Sequence, residues 1–305
     1  MIEKAIHFYS DGLRLVGTLY LPDQASAGER RPTIIACSGY MGLNAIYPKL
    51  FAQVLTRAGY AVLGFDYRGN GDSEGVPGRI LMEEQWHDIE NAITFALIQP
   101  EVDGRALALL GWGMGAGNVI QVAAGDERVT AVAALNGFYN GNDFLLSRHG
   151  EEGFTVLKGQ LEQDRIERVL TGKSRFTQPF AVYPLDPDTA REVDDNLRPV
   201  PGFGPNTSFE LADSILRFDS EAVVHKIAPR PLFVAHGKEN LLHPLDSALA
   251  IYGRAGRLKK LWLVEGKHND FMRLGHPQFV ALMDAILTWL TSYGRGFKQT
   301  AGASS

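Results

Sequence analysis

The run Gly111-Trp112-Gly113-Met114-Gly115 closes the apolar stretch ALALLGW and opens a helical pattern. A strand that turns sharply into a helix through G-x-S-x-G is the arrangement that exposes a serine for nucleophilic attack. The flanking glycines belong to a turn too tight for a β-carbon. At its centre, however, stands Gly113. Glycine has no side chain, so a covalent acyl intermediate at this position is impossible. The spacing speaks of acyl transfer, and the residue that would begin it is missing.

Other chemistry-bearing residues are weighed against plain structural roles. FDYRGNGDSEG (Phe65 to Gly75) carries Asp66, Arg68 and Asp72. It reads as a glycine-bearing loop pinned by charge pairs and side-chain-to-backbone hydrogen bonds. The single cysteine, Cys37, is either a reactive thiol or a small buried residue ending a strand. Having no partner, it fits a reducing cytoplasm. Eight histidines without an H-E-x-x-H or comparable spacing make no case for a metal. His236 is expected to pack structurally, His87 to lie on a helix surface or core edge, and His243 to sit solvated in a turn.

These residues need a frame. The runs IHFY and LRLVGTLYLP suggest an antiparallel start. Thereafter strands and helices alternate: PTIIACSG, then YPKLFAQVLTRAG with Leu50, Phe51, Val54 and Leu55 at helical spacing, then AVLGFDYRG, EEQWHDIENAITFALIQP, ALALLGW and VTAVAAL. Such alternation implies parallel crossovers and a sheet covered on both faces. The rhythm breaks from about Gly137 to Pro229. There, Phe154, Leu157, Leu161, Ile166 and Leu170 mark one helix face, and prolines follow in a cluster. Thr207-Ser208-Phe209-Glu210 reads as a capping box opening a second helix. An excursion of this length is expected to be a cap rather than a structureless loop. The rhythm then resumes with PLFVAHG, a helix near 244–254, KKLWLVEG and a final helix near 277–293. The expected division is a core of 1–136 and 230–296, a cap of 137–229 and a small, polar, disordered tail of 297–305.

With the elbow, FDYRGNGDSEG and HGKENLLHP (His236 to Pro244) in view, the chain resembles α/β-hydrolases. Within them it is similar to bacterial members related to dienelactone hydrolases, cocaine esterases and fungal polyketide transferases. The resemblance implies an α/β-hydrolase fold: a mostly parallel central sheet, helices on both faces and an inserted helical cap. It also implies a nucleophile, acid and base in that chain order. Position by position, the nucleophile falls on Gly113, the acid on Asn240 and the base on His268 in GKHNDF. An engineered Ser-to-Gly change would explain Gly113 but not Asn240. A natural departure explains both. Asn240 can accept a hydrogen bond from His268 but cannot offset an imidazolium charge, and Glu239 and Asp143 are the candidate acids to substitute. The resemblance also implies an oxyanion hole made by the Met114 backbone N–H and the loop Ser38-Gly39-Tyr40-Met41. There the Tyr40 hydroxyl either donates, as in cocaine esterases, or packs under the cap. Trp112, Met114, Tyr40 and Phe138 either line an apolar pocket or belong to the core.

Composition narrows the class. The chain has 305 residues, 45% of them apolar and 21% charged, with a formal charge of −5. That is an ordinary globular balance, without the basic footprint of a nucleic-acid partner. No apolar run approaches the roughly 20 residues that span a bilayer, and no signal peptide is expected. The expected function is hydrolase-like: His268 acts as general base without a covalent nucleophile on a small or medium hydrophobic ester, thioester or activated C–C bond. No cofactor is expected. Two alternatives stand beside it: a cofactor-free lyase, isomerase or cyclase using His268 for proton transfer, and a non-catalytic ligand-binding pseudohydrolase. A long cap can serve as a homodimer interface or merely cover the site.

Overall fold

The computed structural model describes residues 1–26 and 28–297. The strands in chain order are β1 (Ile2–Ser10), β2 (Leu13–Leu21), β3 (Arg31–Cys37), β4 (Ala61–Phe65), β5 (Val102–Trp112), β6 (Ala131–Leu135), the short β7 (Phe176–Thr177) and β8 (Thr207–Ser208), β9 (Leu232–Gly237) and β10 (Lys259–Val264). All but β7 and β8 form one eight-stranded sheet in the order β1-β2-β4-β3-β5-β6-β9-β10. The β1–β2 hairpin and the β2–β4 pair are antiparallel, and every pair from β4 to β10 is parallel. β4, β6 and β9 are buried along their whole length, as strands covered on both faces must be. β1 instead alternates toward its end, with one side wet.

The covering helices are α1 (Tyr47–Leu55), α2 (Met82–Leu97), α3 (Met114–Gly125), α4 (Gly141–Thr171), α5 (Pro179–Val182), α6 (Pro187–Glu192), α7 (Glu210–Arg217), α8 (Leu245–Arg254) and α9 (Pro277–Tyr293). α2, α3 and α8 pack on one face of the sheet through residues such as Ile89, Ile93, Val119, Ile120 and Ile251. α1 and α9 pack on the other through Phe51, Leu55, Phe279, Ile286 and Trp289. α4 to α7 lie in the long excursion between β6 and β9. They share a third apolar cluster, with Phe144, Phe154, Leu157, Leu161 and Leu211 meeting Tyr40, Met114, Phe138 and Leu242 at the top of the core.

Within this excursion, some elements depart from the sequence reading. Phe154, Leu157 and Leu161 are buried, but Ile166 and Leu170 are 46% and 78% exposed. At that end of α4, Arg165 and Arg168 reach Asp213 on α7, so the side facing the protein is ionic and the apolar residues turn outward. α4 also breaks helical geometry at Gly150. Thr207 and Ser208 form no capping box. They pair as a strand with Phe176 and Thr177, and the Thr207 hydroxyl donates to the Gly78 carbonyl, which leaves Phe209 as N-cap. Phe297, read as the first residue of a disordered tail, is buried against Tyr60. The remainder of that tail, 298–305, lies outside the described residues.

Candidate functional site

The sheet's parallel strands deliver their carboxyl ends to one edge, where ligands of open α/β sheets bind. β3 ends in the Ser38–Met41 loop, β5 in Gly113, β6 in Asn136, β9 in the loop bearing Asn240 and His243, and β10 in the loop bearing His268. The turn after β5 is as tight as its glycines suggest. A β-carbon on Gly111 would collide with the Gly115 carbonyl, and one on Gly115 would collide with the Ser38 carbonyl. Gly113 has φ 58° and ψ −122°, and α3 begins at the next residue.

Gly113 and His268 meet across this turn. A β-carbon built on Gly113 would lie 3.8 Å from His268 Nε2, 3.8 Å from the Gly39 α-carbon and 3.9 Å from His243 Cε1. The glycine therefore opens a notch facing one imidazole nitrogen. The other nitrogen, His268 Nδ1, is buried and has no hydrogen-bond partner among the described residues. Burial pushes the His268 pKa down to about 3, with the nearby His236 adding to the effect. A histidine so placed is neutral at physiological pH and a weak base.

Among the described residues, none of the three acid candidates hydrogen-bonds to its side chain. Asn240 is buried, but its side-chain oxygen accepts the His243 backbone N–H at 3.1 Å and its nitrogen lies 3.3 Å from His236 Nε2. Glu239 is exposed. Asp143 is exposed in the first turn of α4, where the Asn140 side chain accepts its backbone N–H. What fixes His268 is Asn136, which the sequence reading passed over. Its side-chain amide donates to the His268 carbonyl at 2.7 Å, and its side-chain oxygen accepts the Gly237 N–H at 2.7 Å. Asn136 sits at φ 49°, a left-handed conformation that asparagine tolerates better than most residues.

The notch opens into a cleft lined by Trp112, Met114, Tyr40, Leu242, His243 and His268 together with insertion residues such as Phe180 and Tyr183. No Asp, Glu, Lys or Arg is among its described lining residues. Met114 is the first residue of α3, where backbone N–H groups have no acceptor within the helix. Gly39 packs against the same turn, since a β-carbon on it would approach the Trp112 carbonyl to 3.2 Å. Tyr40 takes the packing alternative. Its hydroxyl donates to the Pro179 carbonyl at 2.7 Å and its ring stacks on Tyr183 at 4.6 Å, so it is no free donor at the notch. Phe138 lies beneath the insertion, stacked on Phe144 at 4.1 Å and outside the cleft lining.

His243 is not the solvated turn residue expected from sequence. It is fully buried because the insertion folds Tyr183 over it. The Tyr183 hydroxyl lies 2.7 Å from His243 Nε2, and His243 Nδ1 lies 2.6 Å from the Asn136 carbonyl oxygen. His243 and His268 pack edge to face with centroids 4.8 Å apart. No spacing in the sequence links Tyr183 to His243, and only the tertiary fold brings them together.

The remaining candidates are structural. Arg68 forms a buried pair with Asp88, its Nε 2.9 Å from Oδ1, and also reaches Asp11. Asp66 accepts the Asn44 N–H at 2.6 Å. Cys37 is buried, which pushes its thiol up to about 12 and leaves it unreactive. His236 is buried with its Nε2 2.7 Å from the His243 carbonyl oxygen. No helix among the described residues is long and apolar enough to cross a membrane.

Comparison with known proteins adds a family to this geometry. Residues 11–270 match the family described as X-Pro dipeptidyl-peptidase (S15 family). The thiohydrolase aneE of Aspergillus aculeatus is 32% identical over 293 residues, covering 90% of this chain and 88% of that one. A 31.7 kDa Escherichia coli protein from the traX-finO intergenic region is 31% identical over 170 residues. That match spans 56% of this chain and only 58% of the relative's length. Among solved structures, the α/β-hydrolase GrgF from Penicillium sp. sh18 superimposes with a TM-score of 0.81 at 21% identity, covering 96% of this chain and 99% of that one. The fold is that of the α/β-hydrolases.

Proposed function

Because the chain belongs to the X-Pro dipeptidyl-peptidase (S15) family, we propose that it performs hydrolase-type chemistry by a route its own residues allow: attack by water activated at His268, without an acyl-enzyme. The observation that carries this reading is His268 Nε2 standing 3.8 Å from where a β-carbon on Gly113 would be. In this reading Gly113 occupies the place of the lost nucleophile and a water takes the notch. His268 Nε2 accepts one of its protons as its oxygen adds to the substrate carbonyl. The Met114 N–H, at a helix N-terminus, holds the resulting oxyanion. Collapse breaks the acyl–oxygen or acyl–sulfur bond, and the proton returns from His268 to the leaving group. With no acid behind the imidazole the reaction is slow. Neutralising a triad acid costs about 10⁴ in rate in the serine-protease case.

The cleft argues for a neutral apolar acyl compound. A dipeptide substrate carries a free ammonium, which an acidic partner would have to meet, and the described lining offers none. The similarity to a thiohydrolase supports a thioester among the substrates. A second reading, cofactor-free proton transfer in a lyase, isomerase or cyclase, is favoured by the enclosure of His268 at 6% exposure, a setting that excludes bulk water. A purely ligand-binding role needs no His268.

The test is turnover of a panel of nitrophenyl esters and acyl thioesters by the protein beside His268→Ala. Hydrolysis that disappears in the variant supports the water-activating reading. Equal rates in both proteins, or none in either, remove it for these substrates.

A further inference from the structure

The Tyr183–His243 pair roofs the cleft with a defined hydrogen-bond polarity. The Asn136 carbonyl can only accept, so His243 Nδ1, 2.6 Å away, carries the ring proton. Burial holds the His243 pKa well below its usual value, and the His268 and His236 rings oppose any charge on it. His243 Nε2 is therefore bare, and the Tyr183 hydroxyl 2.7 Å away donates to it. The tyrosine oxygen keeps lone pairs but has no proton left to give. Its ring is clamped between Tyr40, stacked at 4.6 Å, and Phe144, at 4.7 Å. Arg148 ties the neighbouring backbone together, its Nε donating to the Pro184 carbonyl and a terminal nitrogen to that of Leu241. This polarity is built into the packing.

We propose that Tyr183 is a specificity-determining residue that accepts a hydrogen bond from a hydroxyl on the acyl chain, with His243 as its positioning residue, so that the cleft favours hydroxyacyl compounds over unsubstituted and oxo ones. His243 Cε1 lies 3.9 Å from the β-carbon place on Gly113, and the Tyr183 oxygen lies one hydrogen bond beyond the adjacent Nε2. The proposal puts a hydroxyl a short way along the chain from a carbonyl in the notch against that oxygen, Tyr183 being one of the residues that line the cleft. Phe180, Leu185 and Leu242 beside it are apolar. Asn269, whose buried side-chain oxygen has no partner among the described residues, is the competing acceptor in the lining, and Tyr183→Phe separates the two. The proposal rests on the proposed function only in taking the ligand to be an acyl compound.

Binding tests it apart from turnover. Calorimetric titration of the full chain with N-butyl hexanamide and its β-hydroxy and β-oxo analogues should show the hydroxy amide binding about tenfold tighter than either, the worth of one hydrogen bond. Tyr183→Phe should bring the three within about twofold. His243→Leu frees the tyrosine proton, and preference should move to the oxo amide. A merely structural pair would not invert the order. Equal affinities in the unaltered protein, a preference there for the oxo amide, or no binding of any amide overturns the proposal. Hexanoyl thioester turnover, measured separately, fails or succeeds with the hydrolase reading alone.

Discussion

Asn240 and His243 are joined by a 3.1 Å hydrogen bond from the backbone N–H of the second to the side-chain oxygen of the first. The residue at the acid position thus holds up the β9 loop and leaves His268 Nδ1 without a partner among the described residues. Asn240→Ala should leave that buried N–H unsatisfied and lower stability by about 1–3 kcal/mol. Chemical denaturation measures the loss. If Asn240 instead oriented the base, His268-dependent turnover would collapse while stability stayed level.

Restoring the side chain at the notch gives a second prediction. In Gly113→Ser the hydroxyl would point at His268 Nε2 from a backbone at φ 58°. Holding a non-glycine residue in that sparsely populated conformation costs about 1–3 kcal/mol, read as a drop in melting temperature. The serine should be acylated by nitrophenyl esters, and the adduct should persist because no acid supports His268 in deacylation. Intact-mass spectrometry reads it directly. An unmodified mass after incubation would mean that His268 cannot activate a group in the notch.

Acid should unfold the protein early. Burial lowers His268 to about 3 and His236 to about 4, and it lowers His243 well below its usual value. Above about pH 6.5 these residues are neutral in both folded and unfolded chains and leave stability independent of pH. As pH falls below that, the unfolded chain takes up protons that the folded one refuses. Each histidine then removes about 1.4 kcal/mol per pH unit until its folded pKa is reached. Melting temperatures measured from about pH 8 to pH 4 should fall steeply through this window. Wherever the fold persists, His268-dependent turnover should show no titration near 6.5. An inflection there would mean an imidazole open to bulk solvent rather than one held in a buried site.

Much of this architecture was legible from sequence because it is locally encoded. The helix expected near 277–293 is Pro277–Tyr293, opened by a proline that suits a first turn. The strand-turn-helix at Gly113 rests on glycines whose need is steric and immediate. What escaped depended on distant partners. Thr207 joins Gly78 across 129 residues, which overrides its capping signal. His243 reads as a wet turn residue beside Pro244 until Tyr183, 60 positions earlier, closes over it. Asn136 carries no motif, because its value lies in standing where β6, β9 and the His268 loop converge.

That convergence yields the last prediction. Asn136 donates to the His268 carbonyl, accepts the Gly237 N–H, and offers its own carbonyl to His243 Nδ1. Asn136→Ala keeps the carbonyl but removes both side-chain bonds and places alanine at a left-handed φ. The two stranded backbone groups and the strain together should lower stability by about 3 kcal/mol. The His268 loop would also lose its tether, and turnover should fall further than the remaining folded fraction explains. Asn136→Asp is the discriminating variant. It keeps an acceptor for Gly237 but has no amide to hold the His268 carbonyl, so Gly237 should stay protected from hydrogen exchange while activity drops. If activity instead followed folded fraction in both variants, Asn136 would be a structural joint with no bearing on where His268 points.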